Sequence, residues 1–371
     1  MADRDPALLS ASLLRPSLVH TLFFVAIAAA SLVLIDSMLA RTERRETAAE
    51  AARFDRDGQR LMRQSKYADA ADAFRSAIAN ARDNPDYPLA LGQALLGAGQ
   101  LDEAGTTLTD LLKADPMAGA PNLAMARVFA KEAQFAEAAF YYHRAIYGQW
   151  KEDPPGNRVR SRFELADLLA RRNSKAELLA ELLPLQDQAP ADPGTQARLA
   201  RLFLTAGSPQ RAAAIFLDLA RTNPRDPEAY LGLGEAEFAH ADYPAAQAGF
   251  IAALKLRPGD PSATKGLELC DRVLNLDPMR RGLDVPERYR RSIQVLRLVV
   301  DKVGQCPPPA DLVSAANAAL ASSVPAAGQS EAVESNLELA NKLWQAERAT
   351  CTSAVSDADE PLQLVLAKSA Q

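Results

Sequence analysis

Small residues recur every 34 positions along most of this chain, and that period constrains the fold more than any other feature. Gly58 to Gly92 is one interval of 34 and Gly92 to Ala126 a second. Ala166 to Ala200 and Ala200 to Gly234 are two more, while the step from Ala126 to Ala166 is 40, so one connection carries six extra residues. The next position in phase, Glu268, is not small, and the pulse ends there. Twelve residues after the first small residue a second one recurs: Ala70, Ala104, Ala138, Ala212 and Ala246. Four residues after each stands a bulky apolar one: Phe74, Leu108, Tyr142, Phe216 and Phe250. Pro116, Pro190, Pro224 and Pro258 close four of the units. A fixed period of this length specifies a solenoid of stacked repeats rather than a globular enzyme core.

Each unit reads as two short helices. The small residues let the two backbones approach, and the bulky residue fills the gap between one unit and the next. Proline lacks an N–H and clashes inside a helix, so it ends the unit. One such hairpin cannot bury its own apolar face, whereas stacked neighbours make the buried strip continuous.

At these residues the chain resembles the tetratricopeptide-repeat family. The sixth unit, 227–260, fits the family pattern best, with Tyr230, Leu233, Gly234, Ala246, Phe250, Ala253 and Pro258. The fourth departs, with Leu178 and Leu182 at the Ala and aromatic positions. The resemblance covers about 51–260 and implies six repeats in an all-α, right-handed α-solenoid, with the first helix of each unit lining a concave groove.

The second large feature is the apolar stretch Leu18–Ile35, which continues to Ala40 with Asp36 near its edge. About twenty residues suffice to span a bilayer as a helix. A cleaved signal is the rival reading, but Met38 and Leu39 make a poor small-x-small cleavage site before Ala40. Residues 18–40 therefore read as a transmembrane anchor in the lipid bilayer, behind a short tail at 1–17. Residues 41–50 read as a helical linker, because no Gly or Pro lies between Ser17 and Asp57 and Glu–Arg pairs recur at helical spacing. The anchor is expected to run as one helix into the first repeat.

Two features bear on orientation. Arg41, Arg44, Arg45, Arg53 and Arg56 follow the span, which by the positive-inside rule favours repeats in the cytoplasm. The three cysteines favour the other side. None has metal or redox spacing. Cys306 opens a helix expected from near Pro308, and Cys351 closes one over about 331–350. A turn around Pro325 and Gly328 would fold these into an antiparallel hairpin with both cysteines at its open end. A Cys306–Cys351 disulfide requires an oxidising compartment, and on that ground the repeats are expected to be extracytoplasmic.

After the repeats, capping helices are expected over 261–353. Residues 262–276 would cover the last repeat, with Cys270 on the buried face as a small hydrophobe, and a helix at about 285–303 would follow. Residues 354–371 read as a tail, acidic and then mildly apolar.

A search for chemistry is mostly negative. His20, His143 and His240 lie far apart in sequence, with no HExxH, P-loop or Gly-x-Ser-x-Gly elbow. No catalytic, metal or cofactor site is expected. The net charge of −5 argues against nucleic-acid binding.

Two candidate partner sites remain. By the family pattern, Arg127, Lys131, Arg160, Arg171, Arg198 and Arg201 face the groove of units three to five, opposed by Glu164 and Asp167. Such a basic stretch suits an acidic segment, a carboxyl terminus or an anionic glycan. In the third unit, Tyr141, Tyr147 and Trp150 exceed what the repeat requires and precede the insertion Lys151–Asn157. Aromatic side chains of this kind anchor protein interfaces. The sequence thus reads as a bacterial-type, single-pass protein of the cytoplasmic (inner) membrane, a scaffold for protein partners such as an acidic segment or an integral membrane subunit. A module for an anionic polysaccharide in an envelope or export apparatus is the alternative.

Overall fold

The computed structural model describes residues 16–303, 309–323, 328–350 and 359–369. Among the described residues it holds seventeen α-helices and no β-strand. The chain divides into two compact units, 1–164 and 165–371, with the division inside one helix.

The first unit opens on α1 (Pro16–Arg63), 48 residues without a break. Proline is tolerated at a helix start, and the absence of Gly and Pro up to Gly58 lets the helix propagate. The helix is roughly 70 Å long. Over Leu22–Leu39 its large apolar side chains are exposed, and it is long and apolar enough to cross a membrane by length and composition. At Ala51, which is fully buried, the same helix joins the repeats. The single helix expected from sequence is thus present.

Around it follow α2 (Tyr67–Asn80), α3 (Asp86–Ala98), α4 (Leu101–Ala114), α5 (Gly119–Lys131), α6 (Phe135–Tyr147) and the start of α7 (Pro154–Arg171). From α1 to α6, each helix packs on the next. Ala70, Phe74, Ala94, Leu95, Ala104 and Leu108 form the centre of the core here. The turn inside each pair places one residue in the left-handed region, and those residues keep the repeat spacing: Ser65 (φ 58°), Gly99 (φ 79°) and Ala133 (φ 58°). Three more follow at Asn173, Gly207 and Ala241.

The second unit holds the rest of α7, then α8 (Lys175–Gln188), α9 (Pro193–Thr205), α10 (Pro209–Thr222), α11 (Pro227–Ala239) and α12 (Tyr243–Leu256). Asp-Pro starts recur here. Asp192 accepts from the N–H of Thr195, and Asp226 from that of Glu228, while the following proline needs no partner for a missing N–H. Leu178 and Leu182 of the atypical fourth unit are buried, so larger side chains fill the space that Ala and an aromatic share elsewhere. Phe250 illustrates the stacking. A Cβ on Gly234 would lie 2.7 Å from its ring, and one on Gly266 of the next helix 2.5 Å. Bulky residues therefore fill gaps both within a pair and toward the following helix.

That following helix is α13 (Pro261–Leu276), with Cys270 fully buried. Then come α14 (Val285–Val303), α15 (Ala310–Ala321), α16 (Gln329–Thr350) and α17 (Glu360–Ser369). Here the arrangement is richer than the expected hairpin. α16 packs chiefly against α14, and α15 lies beside both. Part of the expected tail forms α17, whose Leu362, Val365 and Leu366 bury against α13 and α16. Lys368 pairs with the buried Asp277 at 2.9 Å, and Lys302 pairs with Asp359. Cys306 and Cys351 fall outside the described residues, as does the turn at Pro325.

Candidate functional site

The six cations expected to line a groove have defined surroundings, unit by unit. In the first unit, Arg127 on α5 forms a bidentate pair with Glu164 on α7, at 2.8 and 2.6 Å. Tyr142 donates to the same carboxylate at 3.4 Å. The hydrogen bonds from Arg127 to Glu164 hold its guanidinium above its ordinary pKa despite partial burial. The Lys131 ammonium donates to the Leu96 carbonyl at 3.0 Å, across to α3. Arg160 is exposed and donates to Asn157 one turn earlier. In the second unit, Arg198 pairs with Asp167 and Arg201 with Glu228, which also receives Arg257. Arg171 is exposed, with no ion pair among the described residues. Four of the six cations thus already donate to carboxylate or backbone oxygens in neighbouring helices. An incoming carboxylate has to displace Glu164 at Arg127, and Asp167 at Arg198.

The aromatic residues of the third repeat separate into two kinds. Tyr141 stacks on Phe129 of α5, with centroids 5.3 Å apart and planes at 16°. It belongs to the packing. Trp150 donates its indole N–H to the Ala145 carbonyl at 2.8 Å and lies against Gly119. It fixes the strap ahead of the insertion, which the chain also ties down by backbone bonds from Gly119 to Gln149 at 2.7 Å and from Gln149 to Met117 at 2.8 Å. Tyr147 is different, being 66% exposed.

Tyr147 has company that sequence reasoning missed. Phe140 is 55% exposed and Met117 47% exposed. Apart from the apolar stretch of α1, these three are the large hydrophobics exposed in the first unit among the described residues. Helix geometry explains the grouping. Ala138, Tyr142 and Ala145 face the core, and residues 140, 143, 144 and 147 fall on the opposite side of α6 at 3.6 residues per turn. Arg144 places its guanidinium 5.6 Å from the Phe140 centroid and 5.9 Å from that of Tyr141. It also donates to the Pro116 carbonyl. Arg162 on α7, only 4% exposed, sets its guanidinium 5.8 Å from the Tyr147 ring. His143 stacks on the same ring at 6.5 Å. The signal available in sequence was the i, i+4 spacing of Phe140 with Arg144 and of His143 with Tyr147.

Among the described residues no group of His, Cys, Asp and Glu converges as a metal site would require.

Two stretches match family models described as tetratricopeptide repeat, residues 61–128 and 198–261. No curated protein sequence matches the chain significantly. Among solved structures the chain is similar to YrrB, described as a TPR protein with an unusual peptide-binding site. Identity is 16%, over 53% of this chain and 99% of that one, with a TM-score of 0.43. It is also similar to PilF of Pseudomonas aeruginosa, at 14% identity over 60% and 97% with TM-score 0.43. A third is PilW, described as a type IV pilus biogenesis factor, at 16% identity over 58% and 98% with TM-score 0.43. The 34-residue spacing, the helix pairs that keep it and the two matched stretches agree: the chain carries tetratricopeptide repeats, matched over 61–128 and 198–261.

Proposed function

We propose that the chain is a membrane-anchored scaffold whose repeats bind protein partners and support a membrane-associated complex. The observation that carries this reading is the continuity of α1. One helix joins an exposed apolar stretch of membrane-spanning length to the buried core of the first repeat. Repeats of this family present helix faces to protein ligands, and no chemistry is assigned to them.

In this reading, residues 18–40 hold the chain in the cytoplasmic membrane as a single span. The repeats lie on the extracytoplasmic side, where Cys306 and Cys351 would pair. The expected groove cations Arg127, Lys131, Arg160, Arg171, Arg198 and Arg201 fit a ligand-binding role less well than α6 does, because most are already engaged.

Crosslinking in native membranes, followed by identification of partners, tests the scaffold reading. A reproducible set of membrane-associated proteins, captured by the full chain and not by residues 1–50 alone, is expected. Capture of an anionic polysaccharide with no protein would overturn the scaffold and favour an envelope glycan module instead.

A further inference from the structure

We propose that the outer face of α6 is the docking face for an acidic amphipathic segment of a protein partner. Apolar side chains of that segment would lie on Phe140 and Tyr147, with a carboxylate at Arg144. The inference deepens the scaffold reading and rests on it.

Three observations carry it. First, exposure is concentrated. Phe140 and Tyr147 share α6 and Met117 stands just before α5, and aromatic, Met and Arg side chains are the types enriched where proteins meet. Second, the face is preorganised. Phe129, Tyr141 and Phe140 form a ladder from core to surface, with successive centroids at 5.3 and 5.2 Å. Tyr147 is backed by the buried guanidinium of Arg162 and by His143. The strap at Gly148–Trp150 holds the end of the helix through Trp150 and the backbone bonds to Met117 and Gly119. Rings fixed in this way lose little freedom when a partner arrives.

Third, the face carries a cation open to a carboxylate, on the same side of α6 as the exposed Glu137. Arg144 has no carboxylate partner among the described residues. Its one hydrogen bond runs to the Pro116 carbonyl, which leaves guanidinium donors open beside the exposed ring of Phe140 and the half-buried ring of Tyr141. A guanidinium between aromatic surfaces pairs well with a carboxylate, since the rings exclude water from the contact. An apolar group and an acid spaced along one helix turn match Phe140, Arg144 and Tyr147, themselves one turn apart.

The test uses the full chain in detergent micelles and fluorescence anisotropy with three short labelled peptides. One alternates Leu and Glu at amphipathic helical spacing, a second carries Lys for Glu, and a third carries Ser for Leu. The Leu/Glu peptide is expected to bind, and the other two not. Phe140→Ala with Tyr147→Ala should weaken binding about tenfold or more. Arg144→Gln should weaken it several-fold and flatten its salt dependence. The replaced rings are mostly exposed, so far-UV circular dichroism should be unchanged. Equal binding of the Lys peptide, binding indifferent to these variants, or no binding of the Leu/Glu peptide would each overturn the site. Displacement of the peptide by a uronic-acid oligosaccharide would overturn a protein ligand in favour of a glycan. If the peptide result fails while native-membrane crosslinking still captures proteins, the scaffold stands and only this face is wrong.

Discussion

The indole of Trp150 fills the space where a side chain on Gly119 would stand: a Cβ built there would lie 2.4 Å from the ring. The contact joins the start of α5 to the strap that leads into the insertion breaking the 34-residue period. Gly119→Ala must push the indole away and stretch its 2.8 Å bond to the Ala145 carbonyl. A loss of roughly 1–3 kcal/mol is expected from overpacking of this kind. Thermal unfolding followed by circular dichroism reads it, and an unchanged midpoint would mean the insertion is not held by this contact.

The left-handed turns give a prediction of opposite sign. Gly99 and Gly207 occupy this turn position at φ 79° and 76°, but Ala133 and Ala241 hold it at φ 58° and 64°. An L-residue there costs roughly 1–2 kcal/mol, partly offset because glycine has more freedom to lose on folding. Ala133→Gly and Ala241→Gly should therefore each raise stability by about 0.5–1 kcal/mol. Urea unfolding midpoints should move upward. A downward shift would contradict the turn conformation.

How far the sequence carried depends on the kind of contact. The period was visible because the same small and bulky residues meet in every pair, as with Phe250 between Gly234 and Gly266. The continuous α1 was visible because nothing between Ser17 and Asp57 breaks a helix. Contacts made once were not visible. Tyr141 and Trp150 exceed the repeat pattern in sequence because their partners, Phe129, Gly119 and the Ala145 carbonyl, are set by tertiary packing. Phe140 does not stand out from its aromatic neighbours in sequence because its exposure depends on which face of α6 turns outward. α17 was missed because a ten-residue helix is marginal alone, and its order comes from burial of Leu362, Val365 and Leu366.

Glu287 provides a pH signature. It accepts hydrogen bonds from Arg290 at 2.7 and 2.6 Å and from Arg291 at 2.7 Å, and these hold its carboxyl down at about 2, against an ordinary 4.5. A carboxyl with a lowered folded pKa stabilises the fold above its unfolded value. That contribution fades as the pH falls from about 4.5 toward 2. Arg290 is largely exposed, so the effect is modest. Glu287→Gln should lower the unfolding temperature at neutral pH, with the difference from the parent closing toward pH 2. A difference independent of pH would assign it to packing. Arg291 stays anchored in the variant through the Leu274 carbonyl, at 2.7 Å.

Thiol reactivity separates the three cysteines. Burial pushes the Cys270 thiol up to about 12, so in the native chain it should resist alkylation at neutral pH. If Cys306 and Cys351 are bridged, denaturation without reductant should release one reactive thiol per chain. Three reactive thiols in freshly isolated membranes would refute the bridge and, with it, the extracytoplasmic placement of the repeats.

The proposed anchoring requires α1, the helix that joins the apolar stretch to the first repeat, to remain whole in the mature chain. The most direct measurement is alkaline carbonate extraction of membranes, followed by determination of the mature N-terminus. The prediction is a chain that starts before Leu18 and stays in the membrane pellet. A mature chain that begins at Arg41 and leaves with the supernatant would contradict it.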